Sequence, residues 1–90
     1  MDTLINNLNA LLASSGVDFN DTMHAARLHS STPDSNSYLT IWYSAEYDEY
    51  YLLWVYVNNY DLVTVIDDEV EDTAETLEQS KEILKQYFYN

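Results

Sequence analysis

The spacing of hydrophobic and polar positions changes several times along this chain, and each change marks an element. Leu4, Ile5, Leu8, Leu11 and Leu12 recur at i, i+1, i+4, i+7 and i+8, which is the stripe of an amphipathic helix. Asp2 or Thr3 is placed to cap its start, and Gly16 stands where a left-handed residue ends a helix. Residues 17–22 read as a turn, with Val17 and Phe19 tucked into the core. In MHAARLHS, from Met23, two alanines fit a helix, but alternation and the STPDSNS turn that follows favour the edge strand of a hairpin.

Tyr38 to Ala45 (YLTIWYSA) is β-branched and aromatic throughout and predicts a second strand. An acidic turn, EYDE, leads into Tyr50 to Val57 (YYLLWVYV), eight apolar or aromatic residues without a break. A half-buried strand would alternate; this one offers side chains to both faces and predicts the interior strand of an antiparallel sheet. NNYD ends it, and Leu62 to Ile66 (LVTVI) predicts a fourth strand. DDEVED (67–72) is a polar stretch with Val70 alone apolar. A C-terminal helix follows, with Leu77, Leu84, Tyr87 and Phe88 on one face and Asp72 and Glu75 matching a capping box.

The order is helix, four strands, helix: a single α+β domain over 1–90, its antiparallel sheet of about four strands flanked by an N-terminal and a C-terminal helix. The simplest packing puts both helices on one face. If Leu39, Ile41, Tyr43, Leu53, Val55 and Val57 face the helices, then Tyr38, Trp42, Leu52, Trp54 and Tyr56 form an uncovered face. An aromatic patch of that kind predicts a partner interface or a homodimer contact, with Trp42, Trp54 and Tyr56 as anchors.

Charge changes the picture most. Sixteen Asp and Glu stand against Arg27, Lys81 and Lys85, a net charge of −13 in 90 residues. Self-repulsion on that scale burdens a small fold, and phosphate binding needs Lys and Arg. Nucleic acid and anionic membranes are therefore excluded as direct partners, and a basic protein surface is favoured. Twelve of the acids fall in 46–82, with Lys81 as the one base there: Glu46, Asp48, Glu49, Asp61, Asp67, Asp68, Glu69, Glu71, Asp72, Glu75, Glu78 and Glu82. These are the candidate partner-binding residues beside the aromatic anchors. Glu71, Glu75, Glu78 and Glu82, spaced 4, 3 and 4 apart, predict like charges along one helical stripe. Each such pair destabilises a helix by about 0.2–0.5 kcal/mol.

Other chemistries find little support. DDEVED lacks the glycine and the alternating ligands of a calcium loop, so no metal or cofactor is expected. His24 and His29 are five apart, suiting neither one strand face nor a clean helical pair. No nucleophile triad, phosphate loop or zinc spacing is present, and no catalytic activity is expected. Cysteine is absent, which fits a reducing compartment such as the cytoplasm. No apolar run approaches about 18 residues and the N-terminus lacks a signal-peptide pattern, so no membrane segment is expected.

In size, acidity, absence of cysteine and the carboxylate layout of 46–82, the chain resembles the small phage proteins that mimic DNA. These are anti-CRISPR, anti-restriction and uracil-DNA glycosylase inhibitor proteins. The resemblance is one of charge and composition, not of motif. It implies a protein of the host-cell cytoplasm whose carboxylates stand in for phosphates in the basic groove of a DNA-handling enzyme, such as a CRISPR effector nuclease. The alternatives are an immunity protein or antitoxin that neutralises a basic nuclease, and a structural subunit that dimerises through its aromatic sheet face.

Overall fold

The structure, a computed structural model, describes residues 3–16, 20–31, 35–58, 64–66 and 70–88. The elements are α1 (Thr3–Ser14), β1 (Thr22–Ser31), β2 (Ser35–Ser44), β3 (Glu49–Asn58), β4 (Thr64–Ile66), β5 (Asp72–Ala74) and α2 (Leu77–Gln86). The expected α+β architecture holds, and 23–29 is strand. Gly16 closes α1 at φ 78°, the left-handed conformation that glycine adopts without strain. Val17 and Phe19, expected in the core, lie outside the described residues.

The uninterrupted apolar run becomes β3, the middle of the sheet, because neither of its faces tolerates water. It pairs antiparallel with β2 from Ser35↔Asn58 to Ser44↔Glu49. On its other edge, β4 pairs with Val55–Val57 and β5 with Tyr50–Leu52. Asp72 to Ala74, read from sequence as the start of the helix, is thus a short fifth strand. It supplies hydrogen-bond partners for the half of the β3 edge that β4 does not reach, and the Glu71 N–H adds a bond to the Leu52 carbonyl at 2.9 Å.

The helices lie on opposite faces of the sheet, which corrects the expectation that they share one. Ile5, Leu8 and Leu12 of α1 pack with Met23, Trp42, Leu53, Val55 and Val57. Leu84 of α2 packs with Leu39, Ile41 and Leu52, with Leu77, Ile83, Tyr87, Phe88 and Trp54 around them. Since both faces are apolar, each must be covered, and one helix per face does it. Each fully buried Leu, Ile or Val contributes about 1.5–3 kcal/mol.

The expected division of side chains between the faces is also corrected. The turn over 45–48 pairs odd with even residue numbers, as in Leu39↔Trp54 and Tyr38↔Val55. Leu39, Ile41 and Tyr43 therefore share a face with Tyr50, Leu52 and Trp54, and Tyr38 and Trp42 share the other with Leu53 and Val55. Trp42 lies in the α1 core at 1% exposure. Its indole N–H donates to the Thr40 hydroxyl at 2.7 Å, and that hydroxyl donates in turn to the Leu53 carbonyl. The two polar groups are thereby satisfied inside an apolar layer.

Helix α2 starts later than the Asp72–Glu75 capping box predicted, because Asp72 is in β5. Thr76 is the N-cap and accepts from the Gln79 N–H at 3.1 Å. Gln79 reaches back to the Glu75 N–H at 3.1 Å, so the capping chemistry is present one turn further on. Ser80 is fully buried and bonds the Leu77 carbonyl at 2.7 Å; its small side chain lets α2 approach the sheet. No helix of the described residues is long and apolar enough to cross a membrane.

Candidate functional site

Strand register gathers carboxylates at one end of the sheet. Ser44↔Glu49 closes the β2–β3 hairpin, so Glu46 and Asp48 belong to its turn and Glu49 opens β3 beside it. Tyr50↔Ala74 brings the end of β5 beside that turn, and Glu75 and Glu78 follow as the chain enters α2. Thr22↔Tyr43 sets Asp21 at the same end. The opposite end is built from Ser and Asn: Ser31↔Asn36 and Ser35↔Asn58 are its last pairs.

The row of four acids on one helical stripe does not form. Glu71 and Glu75 precede α2, and only Glu78 and Glu82 lie on it. The repulsion expected along the helix is therefore limited to one pair. Glu82 is met by Lys85 at 3.3 Å, an exposed ion pair of small energetic consequence. Asp61, Asp67, Asp68 and Glu69 lie outside the described residues.

Most of the partners given to these carboxylates are neutral. Tyr43 donates its hydroxyl to Asp48 at 2.7 Å, Tyr51 to Asp21 at 2.7 Å and Tyr87 to Glu71 at 3.3 Å. Asp72 accepts from the Thr73 N–H at 2.8 Å. A phenol orients a carboxylate without cancelling its charge, so the acids are held in place and their field is preserved. The phenols register it. Tyr43 is raised above its ordinary pKa, first by its hydrogen bond to Asp48 and then by burial. Tyr51 is raised strongly, by burial and then by the bond to Asp21. Tyr87 is raised by burial and then by the charge of Glu71.

The expected aromatic anchors separate. Trp42 is core and therefore absent from the surface, a correction that follows from the swapped faces. Trp54 is half-buried under the end of α2, its ring edge-on to Tyr87 at 6.3 Å and to His29 at 5.0 Å. Tyr56 is the one of the three that is exposed, at 37%. The set expected on one bare face is divided between the two: Tyr38 and Trp42 pack under α1, and Leu52 and Trp54 under α2.

Sequence reading missed two features of this end. Tyr47 sits at the turn between Glu46 and Asp48 and is 71% exposed, an aromatic side chain displayed among acids. The EYDE string carried that signal. The second is a group of three rings, His24, Tyr43 and Tyr50, on the α2 face. Register slips between Met23 and Ala25, and this bulge puts His24 and Ala25 on the same side of the sheet. His24 and His29, five apart and so expected on opposite faces, thereby both face α2. His29 also meets Phe88 at 5.5 Å, and Arg27 stacks 4.4 Å over the same ring. Among the described residues, no three metal-ligating side chains converge on one point.

The fold and the site define an acidic α+β protein with an open antiparallel sheet between two helices. The chain matches no protein family, no curated protein and no solved structure.

Proposed function

We propose that this protein acts by binding and without catalysis, as a DNA mimic that occupies the basic nucleic-acid-binding surface of a DNA-handling enzyme in the cytoplasm. A CRISPR effector nuclease is a representative target. One observation carries the reading: carboxylates collected at one end of the sheet, several oriented by hydroxyl and amide donors, in a chain of net charge −13. A protein selected for stability alone would interleave lysines there, because opposed charges relieve repulsion. Two of the three cations are engaged elsewhere, Arg27 on Phe88 and Lys85 on Glu82. DNA-binding surfaces gain most of their non-specific affinity from Lys and Arg contacts to phosphate. Fixed carboxylates can take the same contacts and accelerate encounter, while Tyr47, 71% exposed between Glu46 and Asp48, offers apolar area beside them.

The test uses immobilised protein beside a variant carrying Glu46→Gln, Glu49→Gln, Glu75→Gln and Glu78→Gln. Both are exposed to a nuclease-rich bacterial lysate and then eluted with a short DNA duplex at constant ionic strength. The expected result is retention of DNA-binding proteins by the wild type, their release by the duplex, and little retention by the variant. Equal retention by the variant, or bound protein that the duplex does not release, contradicts the proposal.

A further inference from the structure

The three-ring group at the acidic end has a geometry suited to a specific ligand. The Tyr43 and Tyr50 rings lie 5.0 Å apart at 51°, and His24 meets them edge-on at 5.6 and 6.4 Å. His24 is exposed and the two tyrosines are half-buried, so the rings form a shelf that solvent reaches. Tyr50 borders the apolar cluster under α2; Tyr43 and His24 extend beyond it toward the hairpin turn. At the rim stands Asp48, in a left-handed turn conformation at φ 52°, its Oδ1 held by the Tyr43 hydroxyl at 2.7 Å. That bond leaves Oδ2 to point elsewhere and ties the carboxylate to the ring it adjoins.

A cluster of rings that solvent reaches, with an oriented carboxylate at its edge, meets the two demands of a guanidinium. Arg stacks flat on aromatic rings and pairs with carboxylates through a rigid fork, whereas Lys is a compact, strongly hydrated charge that uses such a shelf less well. Within this chain, Arg27 over Phe88 shows the same stacking at 4.4 Å. We infer that His24, Tyr43, Tyr50 and Asp48 form the seat of one arginine side chain of the basic partner, a buried anchor within an otherwise electrostatic interface. The inference rests on the proposed binding to a basic surface and adds that this surface presents arginine at that point. It also assigns Tyr43 two tasks: a stacking face for the ligand and a hydrogen-bond donor that aims Asp48.

The experiment titrates hexa-arginine and hexa-lysine peptides separately into the full chain, with the tyrosine and histidine ring signals followed by NMR. Two single-charge variants, Asp48→Asn and Glu78→Gln, are compared, and Tyr43→Ser removes the ring at unchanged charge. Asn tolerates the left-handed conformation of position 48, so that variant keeps the turn. Hexa-arginine is expected to bind about threefold or more tighter than hexa-lysine, and to shift the His24, Tyr43 and Tyr50 signals. Asp48→Asn and Tyr43→Ser should abolish that preference, while Glu78→Gln weakens both peptides equally and slightly. If both peptides bind alike without moving these rings, or if Asp48→Asn and Glu78→Gln behave identically, the arginine seat is wrong while the acidic surface stands. If neither peptide binds at low salt, the seat and the proposed function both fail.

Discussion

The two faces of the sheet are covered by helices of similar length and filled by different chemistry. Under α1 the layer is mainly aliphatic, with Leu8, Leu53 and Val55 around Trp42, and its buried polar atoms bond one another. Under α2 the buried centre is also aliphatic, Leu39, Ile41, Leu52 and Leu84, but its margin is aromatic: Tyr43, Tyr50, Trp54, Tyr87 and Phe88 lie there with both histidines and the single arginine. Aliphatic layers resist substitution because their shapes interlock, whereas aromatic side chains with polar tips bridge an apolar interior and a wet rim. Both centres hold the fold together. The aromatic margin under α2 in addition carries the fold's contacts out to Asp48, Glu71 and solvent.

Substituting the tryptophans breaks this comparison most directly. Trp42→Ala should destabilise by about 3–5 kcal/mol, as for a buried aromatic. Trp54→Ala, on the half-buried side, should lose roughly half of that. Chemical denaturation measures both, and a larger loss at Trp54 would reverse the roles of the faces.

Next in size is the N-cap of α2. Thr76→Ala should lower stability by about 1 kcal/mol, and Asp72→Asn by much less, because Thr76 and not Asp72 caps the helix. Equal losses would restore the earlier start of the helix.

A comparable effect follows from the bond between the α1 side of the sheet and Asp21. Tyr51 has a folded pKa raised above its ordinary value of 10.0, so the folded state keeps a proton that the unfolded chain loses above that pH. Its stabilising contribution is complete below pH 10 and declines as pH rises toward the folded pKa. Wild type should therefore lose stability above about pH 10 more steeply than Tyr51→Phe, as read by denaturation across alkaline pH. At neutral pH the Phe variant should be less stable by about 1 kcal/mol. Smallest of all is Glu82→Gln, which removes an exposed ion pair and should change stability by under about 0.5 kcal/mol.

Much of the fold was legible because period and turn chemistry agree. The stripe from Leu4 to Leu12, Gly16 and the run from Tyr50 to Val57 each have one economical reading. What escaped depends on pairing. Whether Trp42 faces α1 or solvent is decided by the turn over 45–48, since an odd-to-even register reassigns each pair of faces. The bulge at His24 is likewise a property of two strands together. Asp72 to Ala74 looked helical because Asp72 and Glu75 precede an apolar stripe, yet the free edge of β3 offered hydrogen bonds that outweighed local preference. The candidate site was legible as charge. Its gathering at one end by the hairpin, β5 and the start of α2 was not, nor were the tyrosine hydroxyls that orient it.

The central claim is that this acidic end takes the place of DNA, and mutual exclusion tests it. The measurement takes a DNA-binding enzyme captured by the protein and records the protein's affinity for it at rising concentrations of a DNA duplex, with ionic strength held constant. Mimicry predicts that the apparent Kd increases in proportion to the duplex concentration, with no species containing all three molecules. A ternary complex of enzyme, duplex and this protein, with affinity unchanged by the duplex, would contradict it.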